Sequence, residues 1–272
     1  MSDLAPMVQL VRTDSMTPPA VRSYLACGVR IDSFQIDTMV DQVLAWKDSP
    51  AGRAAHLCNA YTLSLAMRDR TLQDLLNRAD ANLPDGMPLV WIARRLGLTH
   101  MRDRVYGPDL MIATIDRGRT HGLRHYLYGS TPEVIGLLQT SLRERFPGVE
   151  FVGVESGPFR NLTDTEEQEL AKRIADSGAD VVWVGLGTPR QDLFVDRFRE
   201  LVPATFIAVG AAFDFHAGTK KQAPRVVQRF GFEWLFRLVT EPRRLWKRYL
   251  IGNARFVWSV VRRRPRLISP TV

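Results

Sequence analysis

Val181-Val182-Trp183-Val184-Gly185-Leu186-Gly187-Thr188-Pro189-Arg190-Gln191 is the stretch on which the fold turns. Four apolar residues, three of them β-branched valines, read as a buried strand. Gly185 and Gly187 let the backbone turn sharply. Thr188 is placed to cap the helix that follows, with Pro189 at its first position, where a missing N–H costs nothing. The free N–H groups and positive dipole end of such a helix favour a phosphate or carboxylate. An ordinary strand-to-helix turn has the same pattern, so the segment establishes a βα unit and leaves its ligand open.

Outward from this unit the chain alternates strand and helix. Upstream, a strand over 125–128 runs into Gly129-Ser130-Thr131-Pro132-Glu133, a second glycine turn with a cap and a proline at the helix start. Residues 149–154 read as a strand and 166–175 as a helix. Downstream, 204–209 is another strand, ending in Gly210-Ala211-Ala212-Phe213-Asp214-Phe215. Nearer the start, 24–34 alternates as a strand pair, 37–47 reads as a helix, 54–59 as a short strand and 62–79 as a helix. A strand end over 81–86 breaks at Asp85-Gly86, 89–96 resumes a helix, and the loop 104–109 leads into a helix from Leu110. Strands separated by helices imply a Rossmann-like parallel sheet flanked by helices, with ligands outside the carboxyl ends of the strands. Asn59, Asp85, Gly129, Gly187 and Asp214 all fall at such ends.

The expected organisation is a flexible start over residues 1–20, an α/β domain over 21–219 and a basic appendage over 220–272. No signal peptide opens the chain, and no uncharged apolar run approaches the ~20 residues that span a bilayer. Cys27 and Cys58 lie far apart without C-x-x-C spacing, which suits a reducing compartment and gives neither a zinc site nor a disulfide framework.

The net charge of +8 is unevenly spread. Residues 220–266 hold fourteen Lys or Arg against two acids, Glu233 and Glu241; the remainder, with 23 bases and 27 acids, is mildly negative. Such asymmetry points to a polyanionic partner. Beyond Pro242, residues 243–263 make a plausible helix. At about 100° per residue with Leu245 at zero, most of its apolar residues fall between about 0° and 160°, with Ile251 and Trp258 near the basic sector. Arg244, Lys247, Arg248, Arg255 and Arg262 fall between about 200° and 300°. This helix suits an anionic membrane surface, aromatics inward, or an apolar face docked on the body with its arginines solvated.

Asp85, between a proline and a glycine at a strand end, is placed to act as a general base or to bond its own backbone in a turn. Asn59 orients a hydroxyl or ends its strand. Arg104 holds an anion through its planar fork or faces water. His121 and His125 have the spacing of a metal pair but read better as solvated histidines. With no D-x-D pair and no H-E-x-x-H, a metal-independent site is expected, with no cofactor. G-x-S-x-G and Walker A are absent, and Gly185-x-Gly187 lacks the third glycine of a dinucleotide fingerprint.

Together the motifs resemble the WecG/TagA/CpsF glycosyltransferases, glycosyltransferase family 26. The resemblance runs over roughly residues 22–250. It begins with Asn59-Ala60, Ala79-Asp80, Leu83-Pro84-Asp85-Gly86 and Arg104-Val105-x-Gly107-x-Asp109-Leu110-Met111. Gly185-Leu186-Gly187-Thr188-Pro189-Arg190-Gln191 and Gly210-x-x-Phe213-Asp214-Phe215-x-Ala217-Gly218 follow. It closes with Ala223-Pro224, Gly231-x-Glu233-Trp234-Leu235-x-Arg237-Leu238 and Glu241-Pro242-Arg243-Arg244-Leu245.

The resemblance implies an inverting transferase that uses a UDP-sugar, typically UDP-N-acetylmannosamine or a uronic acid. Its acceptor would be a polyprenyl-diphosphate-linked glycan at the inner face of the bacterial cytoplasmic membrane. It makes Asp85 the general base. Asn59 and Gln191 would position sugar and acceptor. Gly86, Arg104, Gly129, Gly187, Thr188 and Asp214 complete the expected substrate site, with Arg237, Arg244 and Lys247 on diphosphate. Two residues before Asn59, where many members carry threonine, this chain has Leu57. Two readings from other classes stand beside it: a nucleic-acid-binding module using the basic tail, and a dinucleotide-dependent oxidoreductase.

Overall fold

The computed structural model describes residues 21–268. The start over 1–20 lies outside the described residues, and so does the Arg244 side chain. The chain opens with an antiparallel hairpin, β1 (Ser23–Ala26) and β2 (Val29–Asp32). The central sheet comprises β3 (Arg53–Cys58), β4 (Ala81–Pro84), β5 (Arg124–Gly129), β6 (Glu150–Glu155), β7 (Val181–Gly185) and β8 (Thr205–Ala208). Its order is β4-β3-β8-β7-β5-β6, and every pairing is parallel. The expected Rossmann-like α/β class is thus observed.

Parallel strands covered on both faces read as continuous apolar runs. Val181, Val182, Trp183 and Val184 in β7 are all fully buried. On one face, Val40, Val43, Leu110, Ile115, Leu138 and Phe213 pack over the sheet. On the other, Leu170, Ile174, Val195 and Phe198 do so from the helices Asp164–Ser177 and Arg190–Phe198. His125, expected to be solvated, instead lies inside β5 and accepts a hydrogen bond from Trp183 Nε1 at 3.2 Å. Burial pushes its imidazole down to about 4 and keeps it neutral.

The single helix expected over 62–79 is two, Ala60–Ala66 and Arg70–Arg78. Asp69 breaks it: its carboxylate accepts from the Leu72 N–H at 3.1 Å and so starts the second helix. A third helix, Met87–Arg95, follows β4 directly.

The basic tail forms a run of helices, Arg225–Arg229, Glu233–Thr240, Pro242–Trp246 and Gly252–Arg262, with a π turn over Lys247–Ile251 joining the last two. A final strand, β9 (Arg266–Ile268), pairs antiparallel with β1. Helix Gly252–Arg262 packs on Ala60–Ala66. Gly252 permits the approach, since a Cβ there would lie 3.2 Å from both Ser64 Oγ and Tyr61 Cδ2.

The apolar arc of this tail is shared out. Leu245, Tyr249 and Phe256, within about 40° of one another on the helical wheel, are buried against the body. Trp246, Leu250, Val257 and Val261, between about 100° and 160°, stay exposed, as does Trp258 at 62%. The tail therefore docks on the body and still presents an outward apolar edge.

Candidate active site

The carboxyl ends of β3, β4, β5, β7 and β8 open into one cleft of about 370 Å³. Asn59, Asp85, Gly187, Thr188, Gln191, Asp214 and Arg237 line it together. A second cavity of about 550 Å³, walled mostly by apolar side chains, lies between the helices Met87–Arg95 and Gly252–Arg262. Gly86 and Arg104 belong to that second cavity. Asn59, Asp85, Glu233, Arg237 and Arg248 border both. Asp85 stands where a polar chamber meets an apolar one.

Its position is fixed from several sides. The Asp85 N–H donates to the Cys58 carbonyl at 2.8 Å, tying the end of β4 to that of β3. The carboxylate accepts from Asn59 Nδ2 at 3.2 Å and from the Gly107 N–H. Asn59 in turn caps helix Ala60–Ala66, accepting from the Tyr61 and Thr62 N–H groups at 3.1 and 3.2 Å. The amide is thereby held with its NH₂ toward Asp85. Burial pushes the Asp85 carboxyl up to about 6, against the pull of Arg104 and with help from Glu233. At neutral pH it is mostly ionised, yet more basic than an ordinary carboxylate, as a general base requires.

Arg104 is tightly engaged. It donates to Glu233 Oε2 at 2.5 Å, to Gln228 Oε1 at 3.3 Å and to the Asp85 carbonyl at 3.3 Å, and it stacks 3.9 Å over the Tyr106 ring. Tyr106 donates to the other Glu233 oxygen at 3.1 Å. Glu233, one of two acids in the basic segment, is buried and anchors the tail over the site. Sequence reasoning counted it as charge and missed its place; an acid isolated among fourteen bases was the available signal.

The turn after β7 departs from expectation. Pro189, not Thr188, holds the N-cap position, and the helix starts at Arg190 without a side-chain cap. Gln191 instead closes the loop before the helix: its Oε1 accepts from the Gly187 N–H at 3.0 Å and its Nε2 donates to Thr188 Oγ1 at 3.4 Å. One N–H of the expected anion nest is thus occupied by the chain's own amide. Gly187 takes a φ of +78°, and the Thr188–Pro189 peptide is cis. Gly129 lines neither cavity and supports the floor: with φ +119°, a Cβ there would lie 2.8 Å from the Gly185 backbone. Asp214 is paired with Lys220 Nζ at 3.0 Å. Leu57 faces the polar cleft.

Of the tail cations, Arg237 reaches the site and stacks 5.6 Å over Phe215, a residue of the polar cleft. Lys247 lines neither cavity; it is exposed, 5.5 Å from the Trp246 ring. Its neighbour Arg248 comes inward, 4.4 Å over Tyr61. Its Nε is buried without a hydrogen-bond partner. The helical wheel carried this signal, because Arg248 at about 300° borders the docked edge whereas Lys247 at about 200° lies opposite. Among the described residues, no group of three or more His, Cys, Asp or Glu is arranged to hold a metal ion, and no helix is long and apolar enough to cross a membrane.

Comparison with known proteins agrees with this architecture. The model of the glycosyl transferase WecG/TagA/CpsF family matches residues 24–269. The chain is also 32% identical over 198 residues to an N-acetylglucosaminyldiphosphoundecaprenol N-acetyl-beta-D-mannosaminyltransferase of Bacillus spizizenii, covering 72% of this chain and 74% of that protein. A match that spans the hairpin, the sheet and the basic tail alike makes this chain a member of the WecG/TagA/CpsF glycosyltransferase family.

Proposed function

We propose that the protein is an inverting, metal-independent transferase. It moves a sugar from a UDP-sugar to a polyprenyl-diphosphate-linked glycan, at the inner face of the bacterial cytoplasmic membrane, during exopolysaccharide or other surface-polysaccharide assembly. The observation that carries this reading is the placement of Asp85 on the wall shared by a polar and an apolar chamber. The relative's name supplies the chemistry by analogy, since that protein acts on a diphosphoundecaprenol-linked sugar.

In this mechanism Asp85 accepts the proton of the acceptor hydroxyl while that oxygen attacks the anomeric carbon from the face opposite the leaving group. The bond from the anomeric carbon to the β-phosphate oxygen breaks, and UDP departs. Arg237, which borders both chambers and stacks on Phe215 of the polar one, supports this reading as the cation that stabilises the negative charge developing on the diphosphate. Asn59 keeps the Asp85 carboxylate oriented. Leu57 places a hydrocarbon where many relatives offer a hydroxyl, which favours a donor other than N-acetylmannosamine, a hexuronic acid among the candidates. The exposed Trp246, Leu250 and Trp258 with their neighbouring bases suit an anionic membrane surface.

The test is transfer from a panel of UDP-sugars to a short lipid-diphosphate disaccharide, with and without EDTA. Wild type is expected to transfer one of them in either condition. Asp85→Asn is expected to lose at least about 100-fold in kcat, the general-base contribution, while still binding the UDP-sugar. Unchanged turnover in Asp85→Asn would remove that residue from its role.

A further inference from the structure

The apolar cavity has a direction. Met87, Trp91, Ile92 and Arg95 line it along one helix, and Asn253, Val257 and Val261 along the facing one. Met87 follows Asp85 by two residues, so the lining of that helix runs about 12 Å, eight steps of 1.5 Å, from the catalytic carboxylate to the exposed Arg95, with exposed Val261 on the other helix. Along that length its walls offer few hydrogen-bonding groups. A glycan laid there would leave its hydroxyls unpaired, at a cost of about 1–3 kcal/mol each, whereas a hydrocarbon loses nothing.

The two cations at its head divide the site. Arg237 stacks on Phe215, which belongs to the polar cleft alone; Arg248 stacks on Tyr61, which belongs to the apolar groove alone. Neither forms an ion pair among the described residues, unlike Arg104, which is committed to Glu233. Arg95 lies at the far, exposed end of the groove, so at the Asp85 end Arg248 is the cation left to meet an anion entering from the groove side. An amphiphile with an anionic head and a branched hydrocarbon tail matches both features.

We propose that this groove is the channel for the first isoprene units of the acceptor lipid, and that Arg248 holds the acceptor's diphosphate while Arg237 serves the donor's. The proposal rests on the glycosyltransferase reading above but is tested without turnover. Titration calorimetry compares farnesyl diphosphate with inorganic diphosphate, both below micellar concentration and without vesicles. Burial of methylenes contributes about fourfold in affinity for each one enclosed. Wild type is therefore expected to prefer farnesyl diphosphate by at least about 100-fold.

Val260→Trp and Ile92→Trp, filling the groove from opposite walls, are expected to abolish that preference while leaving inorganic diphosphate and UDP binding unchanged. Arg248→Gln is expected to weaken both diphosphates at least tenfold and to spare UDP. Equal affinity for the two ligands in wild type, or a preference that survives in both tryptophan variants, overturns the assignment. If no UDP-sugar is transferred to any acceptor although farnesyl diphosphate binds as expected, the fault lies with the glycosyltransferase reading and not with the groove.

Discussion

At the scale of single residues, the proposed chemistry turns on how the surroundings of Asp85 set its basicity. With its carboxyl raised to about 6, kcat/KM is expected to fall about tenfold per pH unit below that value and to level off above it. Glu233 contributes to the rise and Arg104 opposes it. Glu233→Gln should therefore move the acid limb to lower pH, which a pH–rate profile of the variant reads directly. The same shift has a stability consequence of opposite sign to the usual aspartate. The folded carboxyl titrates above the ordinary 3.8, so its ionised form opposes folding above pH 6, and the penalty vanishes below about pH 4, where both states are protonated. Asp85→Asn is expected to be more stable than wild type by about 1–3 kcal/mol at pH 8 and equal to it near pH 3.5, as measured by urea unfolding. The strand-end position of Asp85 was legible in the sequence because its Pro-Asp-Gly turn ends a buried strand, whereas its proposed role as a base came from the family resemblance. Glu233 and Arg248 carried only faint signals, an acid among bases and a wheel angle beside the docked edge, because their places depend on how a tail far along the chain lies over the strand ends.

At the scale of elements, the strands were the most legible part. A run such as Val181–Gly185 announces itself by composition, and its burial on both faces leaves no competing arrangement. Turn chemistry was less so. A Thr-Pro pair before a helix ordinarily signals a cap, but here the helix has no side-chain cap and Gln191 folds its side chain back onto Gly187. Local patterns cannot register an amide returning from four residues downstream. The tight contact of β5 with β7 makes a further expectation. Gly129→Ala combines a backbone at φ +119° with a Cβ 2.8 Å from the Gly185 carbonyl, so neither strand has room to yield. A loss of at least about 2–4 kcal/mol is expected in thermal unfolding. Gly187→Ala, with φ +78° and open space around its Cβ, should lose only about 1–2 kcal/mol.

At the scale of the whole molecule, the basic tail is both wall and surface. Its inner edge completes the apolar groove, and its outer edge carries Trp246, Leu250 and Trp258 beside the bases. The helical wheel showed the apolar arc but could not apportion it between body and solvent, since that division depends on the width of the surface beneath. A Leu250→Glu, Trp258→Glu double variant touches only the outer edge. It is expected to lose at least about tenfold in co-sedimentation with vesicles containing anionic lipid, with unchanged melting temperature and UDP binding. β9 lies against β1, so the last described strand of the chain is stitched to the first, while Arg104 and Asp109 grip Glu233 and Arg225 at the opposite end of the appendage. A strap fastened at both buckles does not swing open like a flap. With the strap held in place, the ways to Asp85 are the two chambers that flank it, one polar and one apolar.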